Sequence, residues 1–359
     1  MDVVYGIPIL GVIFQFIGYV VEVTPGIAPI VLGLAAPIAL GALCGIMNER
    51  SGVVNIGIEG MMLSGAFAGF LVAGLVHQAM GPVEGFGPFG ITPALIAGVV
   101  AAIAIAMLLS ALHAWLSITV AADQIISGVI INVAALGLTG YLNRLLITPN
   151  PRLGAGTFST FRLPPEIADF PVVGWILEMF VEQGPVAMSV VIFVIVLQIL
   201  LFRSRWGLRT RAVGEHPRAA DTVGINVIRL RYRNVILAGV FAGLAGAYLT
   251  LEGTSSFQNG MTAGRGFIAL AAVIFGRWTP IGAFGAALLF AYSGAFGQAV
   301  RIRPPGAEYP DLGAIMAAVP SQVYGSLPYI VTIVILAGVV GRSVAPAAVG
   351  KPYEKESHA

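Results

Sequence analysis

Long apolar runs separated by short polar segments are the feature that most constrains the fold of this chain. A helix needs about 20 apolar residues to cross a bilayer, and ten runs approach that length or composition: Val3–Val20, Ile27–Met47, Glu59–Val76, Pro93–Leu116, Gln124–Leu142, Gly184–Phe202, Asn234–Leu251, Gly266–Gly276, Ile281–Gln298 and Gly325–Val340. Because 57% of the residues are hydrophobic and only 10% are charged, a soluble core could not bury this much apolar surface. The sequence therefore predicts an all-α polytopic membrane protein with about ten transmembrane helices.

The eighth run, Gly266–Gly276, is too short to cross a bilayer as a regular helix. We expect it to be a re-entrant or broken helix. Elsewhere, small residues four positions apart indicate close helix packing, as in the pairs Gly239/Gly243 and Ala242/Gly246.

Positive charge is concentrated in the segment Arg203–Arg233, which holds eight of the nineteen Lys and Arg residues. Cytoplasmic loops retain positive charge, so residues 203–233 are predicted to be cytoplasmic. With ten spans, both termini then lie in the cytoplasm, and the loop of residues 143–183 lies outside. The domain prediction is a transmembrane domain of residues 1–341 and a cytoplasmic tail of residues 342–359.

A short helix is expected inside this cationic loop. Pro217 suits the first position of a helix, Glu215 lies near its positive end, and Gly224 suits its end. A short helix on the cytoplasmic face of a membrane protein is a docking element for a soluble partner.

The sequence lacks the motifs of the common catalytic chemistries. There is no GxxxxGK[ST] phosphate-binding loop, no HExxH motif and no Cys/His cluster, and Cys44 is the single cysteine. We therefore expect no catalytic residues, no metal site and no cofactor. The net charge of +2 gives no reason to expect a nucleic-acid partner.

Polar residues close to the apolar runs are the candidates for a substrate pathway. The stretch from Asn48 to Gly60 is rich in polar residues and glycine, and it includes Asn55 and Glu59. Such a stretch can interrupt a membrane helix where it lines a polar cavity. The alternative is an ordinary cytoplasmic turn.

Two further polar groups offer the same choice. Gln124 and Asn132 lie on similar faces of one helix, and they would bond either a neighbouring helix or a ligand. Phe257, Gln258 and Asn259 could hold a flat ligand by stacking and amide bonds, or they could belong to a solvated loop.

Three segments resemble the permease subunits of bacterial ABC uptake systems for nucleosides, simple sugars and branched-chain amino acids. They are GALCGIMNERSGVVNIGIEGMMLSGAFAG from Gly41, AVGEHPRAADTVGINVIRLRYRNVILAGVFAGLAGAYL from Ala212 and GRGFIALAAVIFGRWTPIGAFGAALLF from Gly264. The first, with its NIGIEG sequence, favours the nucleoside branch. The resemblance covers most of the chain.

The resemblance implies a division of labour among several proteins in a bacterial plasma membrane. A pair of permease subunits, identical or homologous, forms the pathway, a cytoplasmic ABC ATPase dimer hydrolyses ATP, and an extracytoplasmic binding protein or lipoprotein delivers the substrate. By the family pattern, the ATPase-coupling residues are Glu215, Pro217, Ala219, Ala220 and Gly224. Transport would proceed by alternating access, driven by ATP in the partner subunit.

Other interpretations stay open from the residues themselves. A permease of the same family could carry sugars or branched-chain amino acids. An ion-coupled secondary transporter is a further alternative, but it would need carboxylates or histidines in mid-membrane, whereas Glu22, Glu59, Asp123 and Glu252 fall at the ends of the runs.

Overall fold

The computed structural model describes residues 8–168, 170, 173–338 and 343–354, and most of this part of the chain is helical. The α-helices are α1 (Pro8–Glu49), α2 (Ile58–Met80), α3 (Pro93–Ala114), α4 (Gln124–Leu142), α5 (Pro165–Ala168), α6 (Val173–Val181), α7 (Pro185–Arg203), α8 (Arg205–Glu215), α9 (Pro217–Thr222), α10 (Val227–Ala247), α11 (Arg265–Phe275), α12 (Pro280–Ile302), α13 (Pro310–Ala317), α14 (Ser321–Gly325) and α15 (Leu327–Gly338). Three π-helical segments, Trp115–Thr119, Asn143–Ile147 and Tyr248–Thr254, extend α3, α4 and α10. The predicted all-α class is confirmed.

In the described part of the chain, seven helices are long and apolar enough to cross a membrane. They are α1, α2, α3, α4, α7, α10 and α12, and α11 is a shorter apolar helix of 11 residues. The count of ten spans is therefore not confirmed. The last predicted run corresponds to α15, with Val340 outside the described residues.

The first two predicted runs lie on the single helix α1, so the expected interruption between them is wrong. Its 42 residues correspond to about 63 Å at 1.5 Å per residue. Two polar side chains between these runs have partners on or beside the helix. Glu22 pairs with Arg303 at 2.5 Å, and Thr24 donates to the Val20 carbonyl at 2.6 Å.

The described residues fall into two compact units. The first contains residues 1–35, 162–183 and 288–341. Its core joins α1 to the segment after α12: Tyr19 donates to the Arg303 carbonyl at 2.6 Å, and the Gln15 amide bonds Asp311 at 2.9 Å. The same unit contains α6, which begins at Val173, and Pro171 and Val172 lie outside the described residues.

The second unit contains residues 36–161, 184–287 and 342–359, and α2, α3 and α10 pack at its centre. Their backbones touch where the small residues lie. A Cβ atom at Gly243 would lie 2.5 Å from the Cα atom of Ile103, and one at Gly246 would lie 2.3 Å from the Met62 carbonyl oxygen. The helix-packing interpretation of the small-residue pairs is confirmed.

Candidate functional site

The polar stretch after α1 forms a buried, non-helical loop of residues 50–57 in the second unit. The amide groups of Ser51 and Val53 donate to the Asn48 carbonyl at 3.0 and 3.1 Å, and the Ser51 hydroxyl donates to the same oxygen at 2.8 Å. These bonds turn the chain sharply at the end of α1. The stretch therefore separates α1 from α2, and the choice between a pathway lining and a cytoplasmic turn stays a prediction.

Side chains of α3 and α4 hold this loop through its backbone. His113 is fully buried, and its Nε2 lies 2.9 Å from the Val54 carbonyl oxygen. On the other side of the same residue, the Val54 amide donates to Gln124 Oε1 at 2.7 Å. The loop is therefore fixed at Val54 from two helices.

Asn132 holds the end of the same loop. Its Oδ1 accepts from the Gly60 amide at 2.7 Å, and its Nδ2 donates to the Ile56 carbonyl at 3.0 Å. Both polar atoms of Asn132 are thus bonded to backbone, one in the loop and one in the first turn of α2, and the Gln124 oxygen is also bonded to backbone. The Gln124 amide nitrogen, by contrast, is buried without a hydrogen-bond partner among the described residues. A ligand role for these two side chains stays a prediction.

Asn55 is fully buried and bonds within its own turn. Its Oδ1 accepts from the Gly57 amide at 3.0 Å, and its Nδ2 lies 3.6 Å from the Met61 sulfur. The side chain shapes the start of α2.

Glu59 joins the first turn of α2 to the N-terminus of α11. Its carboxylate accepts from the Gly264 amide at 2.8 Å and from the Gly266 amide at 2.6 Å. The first amide groups of a helix have no partner within the helix, so Glu59 supplies the missing acceptors and places a negative charge at the positive end of α11.

The aromatic and amide group of residues 257–259, which follows α10 and its π-helical extension, is divided between core and surface. Phe257 is buried, and its ring meets Phe67 edge-to-face with the ring centres 5.3 Å apart. Gln258 and Asn259 are exposed, and Asn259 accepts from the Asn143 side chain at 2.9 Å. Phe257 therefore belongs to a hydrophobic cluster with Phe67, and its stacking on a ligand stays a prediction.

The predicted cytoplasmic loop is mostly helical. It contains α8, α9 and the first turns of α10, because α10 starts at Val227 rather than at Asn234. The short helix expected after Pro217 is confirmed as α9, and Gly224 follows it with a positive φ of 84°.

The predicted coupling residues occupy different environments in this element. Ala219 is exposed, whereas Ala220 is buried against Val213 and Val227. The carboxylate of Glu215 accepts from the Ala347 amide at 3.1 Å, so it binds the C-terminal segment.

The C-terminal segment Ser343–Glu354 packs on this element. The Ala348 amide donates to the Gly214 carbonyl at 2.9 Å, and Tyr353 packs on the cluster that contains Ala220. Between the segment and α9 lies a groove of about 630 Å³, whose lining includes Glu215, Pro217 and Ala219.

Arg231 of α10 connects the C-terminal segment with the buried loop. Its side chain is 1% exposed, and its Nη1 donates to the Lys351 carbonyl at 3.0 Å. A Cβ atom at Gly52, where φ is 90°, would lie 2.6 Å from Arg231 Nη2. The Gly350 amide donates to the Gly52 carbonyl at 3.2 Å, so loop, arginine and C-terminal segment form one junction.

Arg50 ties the same loop to the turn after α11. Its Nε donates to the Trp278 carbonyl at 2.9 Å, and its Nη2 donates to the Arg277 carbonyl at 3.2 Å. Burial lowers the pKa of Arg50, while the nearby Glu215 carboxylate acts to raise it. The loop is thereby linked electrostatically to the end of α8.

Sequence reasoning missed His113, Arg231 and the C-terminal segment. His113 is one of four scattered histidines, and its bond to Val54 is a tertiary contact that no spacing reveals.

In the part of the chain that the structure describes, no three His, Cys, Asp or Glu side chains are grouped so that they could hold a metal ion.

Comparison with known proteins identifies the family. Residues 27–336 match the family described as "Branched-chain amino acid transport system / permease component". No solved structure matches the chain.

Three relatives match along nearly their whole length. The guanosine ABC transporter permease protein NupQ of Bacillus subtilis (strain 168) is 38% identical over 94% of this chain and 98% of the relative. The nucleoside ABC transporter permease protein NupC of Lactococcus lactis subsp. cremoris (strain MG1363) is 35% identical over 89% and 94%. The putative glucose ABC transporter permease protein TsgC13 of Haloferax volcanii is 33% identical over 90% and 95%. The chain, with its apolar helices and its polar helical element, belongs to this family of ABC transporter permeases.

Proposed function

We propose that this chain is the membrane permease subunit of an ATP-driven importer and that the importer carries nucleosides. The observation that carries the proposal is the full-length similarity to a guanosine permease and a nucleoside permease, at 38% and 35% identity. A neutral nucleoside also suits a chain in which few charges lie within the apolar helices.

The energy for transport would come from a separate ATPase dimer. The sequence has no phosphate-binding loop of the GxxxxGK[ST] type, so ATP hydrolysis by this chain is not expected. A second permease subunit, identical or homologous, and an extracytoplasmic binding protein would complete the system. We place it in a bacterial plasma membrane with both termini in the cytoplasm, which the cationic segment 203–233 supports.

The ATPase would dock on α9 and on the groove beside it. Ala219 is exposed at the rim of this groove, and its small side chain leaves room for a partner surface. Ala220 would act indirectly, because its burial against Val213 and Val227 anchors α9 to the rest of the element.

A movement of α9 would reach the buried loop through the junction at Arg231. The C-terminal segment bonds Glu215 and Gly214 on one side and Gly52 and Arg231 on the other. We infer that ATP binding in the partner moves α8 and α9, and that this junction transmits the movement to residues 50–57. Transport by alternating access then needs only a shift between two conformations that bind the partner differently.

The docking role can be tested by substituting Ala219 alone. Ala219→Trp should abolish co-purification with the ATPase and abolish uptake, while the melting temperature in detergent stays unchanged. Thr157→Trp, an exposed substitution in the loop predicted outside, is the matched control and should keep both. Normal uptake with Ala219→Trp would contradict the docking assignment.

The substrate can be tested by gene deletion and complementation. Cells that lack this chain should lose uptake of radiolabelled guanosine and other nucleosides, and a plasmid copy should restore it. The relative described as a putative glucose permease makes sugar the second candidate. Loss of glucose uptake with unchanged nucleoside uptake would refute the proposed substrate while leaving the permease assignment intact.

A further inference from the structure

An apolar groove lies on the surface of the second unit between α7 and α10. It has a volume of about 320 Å³, and its walls include Leu197 and Leu200 of α7 and Leu237 and Val240 of α10. Both helices are among those long and apolar enough to cross a membrane. The groove is therefore an open apolar surface between two spanning helices, of the kind that contacts lipid.

Trp206 and Arg233 also line this groove, and they mark its polar end. α7 ends at Arg203, and Arg233 lies one turn before Leu237 on α10, so both side chains belong to the end nearest α8. The Trp206 indole donates to Asn234 at 3.0 Å, which fixes its ring. Tryptophan and arginine are the residues that favour the boundary between the hydrocarbon and water.

A second, basic pocket adjoins the apolar groove and shares Arg233 with it. It has a volume of about 350 Å³, and it also contains Arg209 of α8 and Arg229 of α10. All three arginines are exposed. Among the described residues, no acidic side chain forms a salt bridge with any of them.

The surface around the basic pocket mixes these cations with exposed apolar side chains. Val223, which lines the pocket, is 76% exposed, and Leu208, which precedes Arg209 on α8, is 62% exposed. Helices that lie in the membrane interface combine basic and apolar residues in this way. A purely aqueous surface would not favour two such exposed side chains.

We propose that the groove and the pocket together bind one anionic phospholipid. An acyl chain would occupy the groove between α7 and α10, and the phosphate would lie among Arg209, Arg229 and Arg233. Basic pockets between membrane helices bind anionic headgroups in this manner, and arginine suits phosphate because it donates several hydrogen bonds. An acidic protein surface would neutralise the arginines but would leave the groove between the spanning helices uncovered.

The lipid site and the ATPase groove share no lining residue, although Gly224, one of the predicted coupling residues, lines the basic pocket. The ATPase groove is lined by Glu215–Ala219 and the C-terminal segment, whereas the lipid site uses α7, α8 and α10. A bound phospholipid would hold the α8 side of this element at the membrane while α9 faces the partner. The lipid proposal does not depend on the transported substrate.

The test uses the full chain, purified in detergent and stripped of lipid. Its melting temperature is measured while phosphatidylglycerol, phosphatidylcholine or inorganic phosphate is added, and bound lipid is counted by native mass spectrometry. We expect phosphatidylglycerol to raise the melting temperature and to remain bound as one molecule. Phosphatidylcholine should act at least tenfold more weakly, and inorganic phosphate should have no effect.

Substitutions of the pocket arginines test whether phosphatidylglycerol binds at this site. Arg229→Gln with Arg233→Gln should weaken phosphatidylglycerol binding at least tenfold without changing the melting temperature of the lipid-free protein. Arg233→Lys keeps the charge and should retain most of the binding. Arg152→Gln, an exposed arginine in the segment after α4, is the control and should bind as the unmodified protein does.

Three results would overturn the lipid proposal. Equal effects of the two lipids would show that charge is not recognised, and an equal effect of inorganic phosphate would show that the groove contributes nothing. Unchanged lipid binding in the double variant, together with loss of ATPase co-purification, would assign these arginines to the partner instead.

Discussion

Replacing Glu59 with alanine should destabilise the chain, because this carboxylate is the acceptor at the N-terminus of α11. Its two hydrogen bonds, to the amide groups of Gly264 and Gly266, measure 2.8 and 2.6 Å. A hydrogen bond to a charged group contributes about 1.5–3 kcal/mol. We therefore expect Glu59→Ala to lower the free energy of unfolding by about 3 kcal/mol, the lower end for two such bonds.

Two further variants at Glu59 test whether the loss of stability follows the number of hydrogen bonds removed. Glu59→Gln keeps one acceptor oxygen, so the free energy of unfolding should fall by about 1.5 kcal/mol, half as much as in Glu59→Ala. Glu59→Asp keeps the charge, but its shorter side chain should reach only one of the two amide groups. Glu84→Ala, which removes an exposed acid after α2, is the matched control.

The measurement is denaturant unfolding in mixed micelles, followed by tryptophan fluorescence, with substrate uptake measured in parallel. Glu59→Ala should be the least stable, Glu59→Gln should be intermediate, and the unmodified protein should be the most stable. A Glu59→Ala variant within about 0.5 kcal/mol of the unmodified protein, the usual range for a surface change, would refute it. If uptake were lost in such a stable variant, Glu59 would be a pathway residue.

The remaining predictions concern the junction, the loop and the aromatic cluster. Gly52→Ala should cost about 1–2 kcal/mol from the left-handed backbone alone, and the displacement of Arg231 should expose the C-terminal segment to limited proteolysis. Asn132→Leu removes two bonds to the loop and should lower the free energy of unfolding by about 2 kcal/mol, measured by the same denaturation. Phe257→Ala should lower it by about 3–5 kcal/mol, as expected for a cavity; an unchanged stability with weaker nucleoside uptake would instead favour ligand stacking.

The positions of most helices could be predicted from the sequence because a bilayer demands long apolar runs. The run Gln124–Leu142 coincides with α4, and the run Gly184–Phe202 differs from α7 by one residue at each end. Local turn chemistry was equally informative at α9, where Pro217 and Gly224 mark the boundaries.

Charged residues on helices are what the apolar runs could not reveal. Because arginines occur in the first two turns of α10, this part of the sequence resembled a loop. Arg231 in particular was counted among the loop cations, yet it is buried under the C-terminal segment. Burial of an arginine by a segment 120 positions away is a tertiary property that leaves no local pattern.

For the candidate pathway residues, the sequence indicated where the polar side chains lie but not what they bond. Sequence reasoning indicated a polar loop after α1 and amide side chains at Gln124 and Asn132. It could not tell what those amides bond, because backbone groups and ligands offer the same donors and acceptors. In the structure the two polar atoms of Asn132 bond backbone groups, those of Ile56 in the loop and of Gly60 in α2.

The acids at the ends of the membrane helices explain why an ion-coupled mechanism does not suit this chain. Asp123 accepts from the Ile125 and Ile126 amide groups at the start of α4, and Glu252 accepts from the first amide groups of α7 at 2.7 and 3.1 Å.

Glu59 does the same for α11, and Glu22 is paired with Arg303. A helix N-terminus near lipid needs such acceptors because a bare amide there is costly. Each of these four acids thus has a structural partner, whereas a proton relay needs carboxylates that can exchange theirs. This arrangement of the four acids favours the proposed coupling through the α8–α9 element and its C-terminal segment over an ion-coupled mechanism.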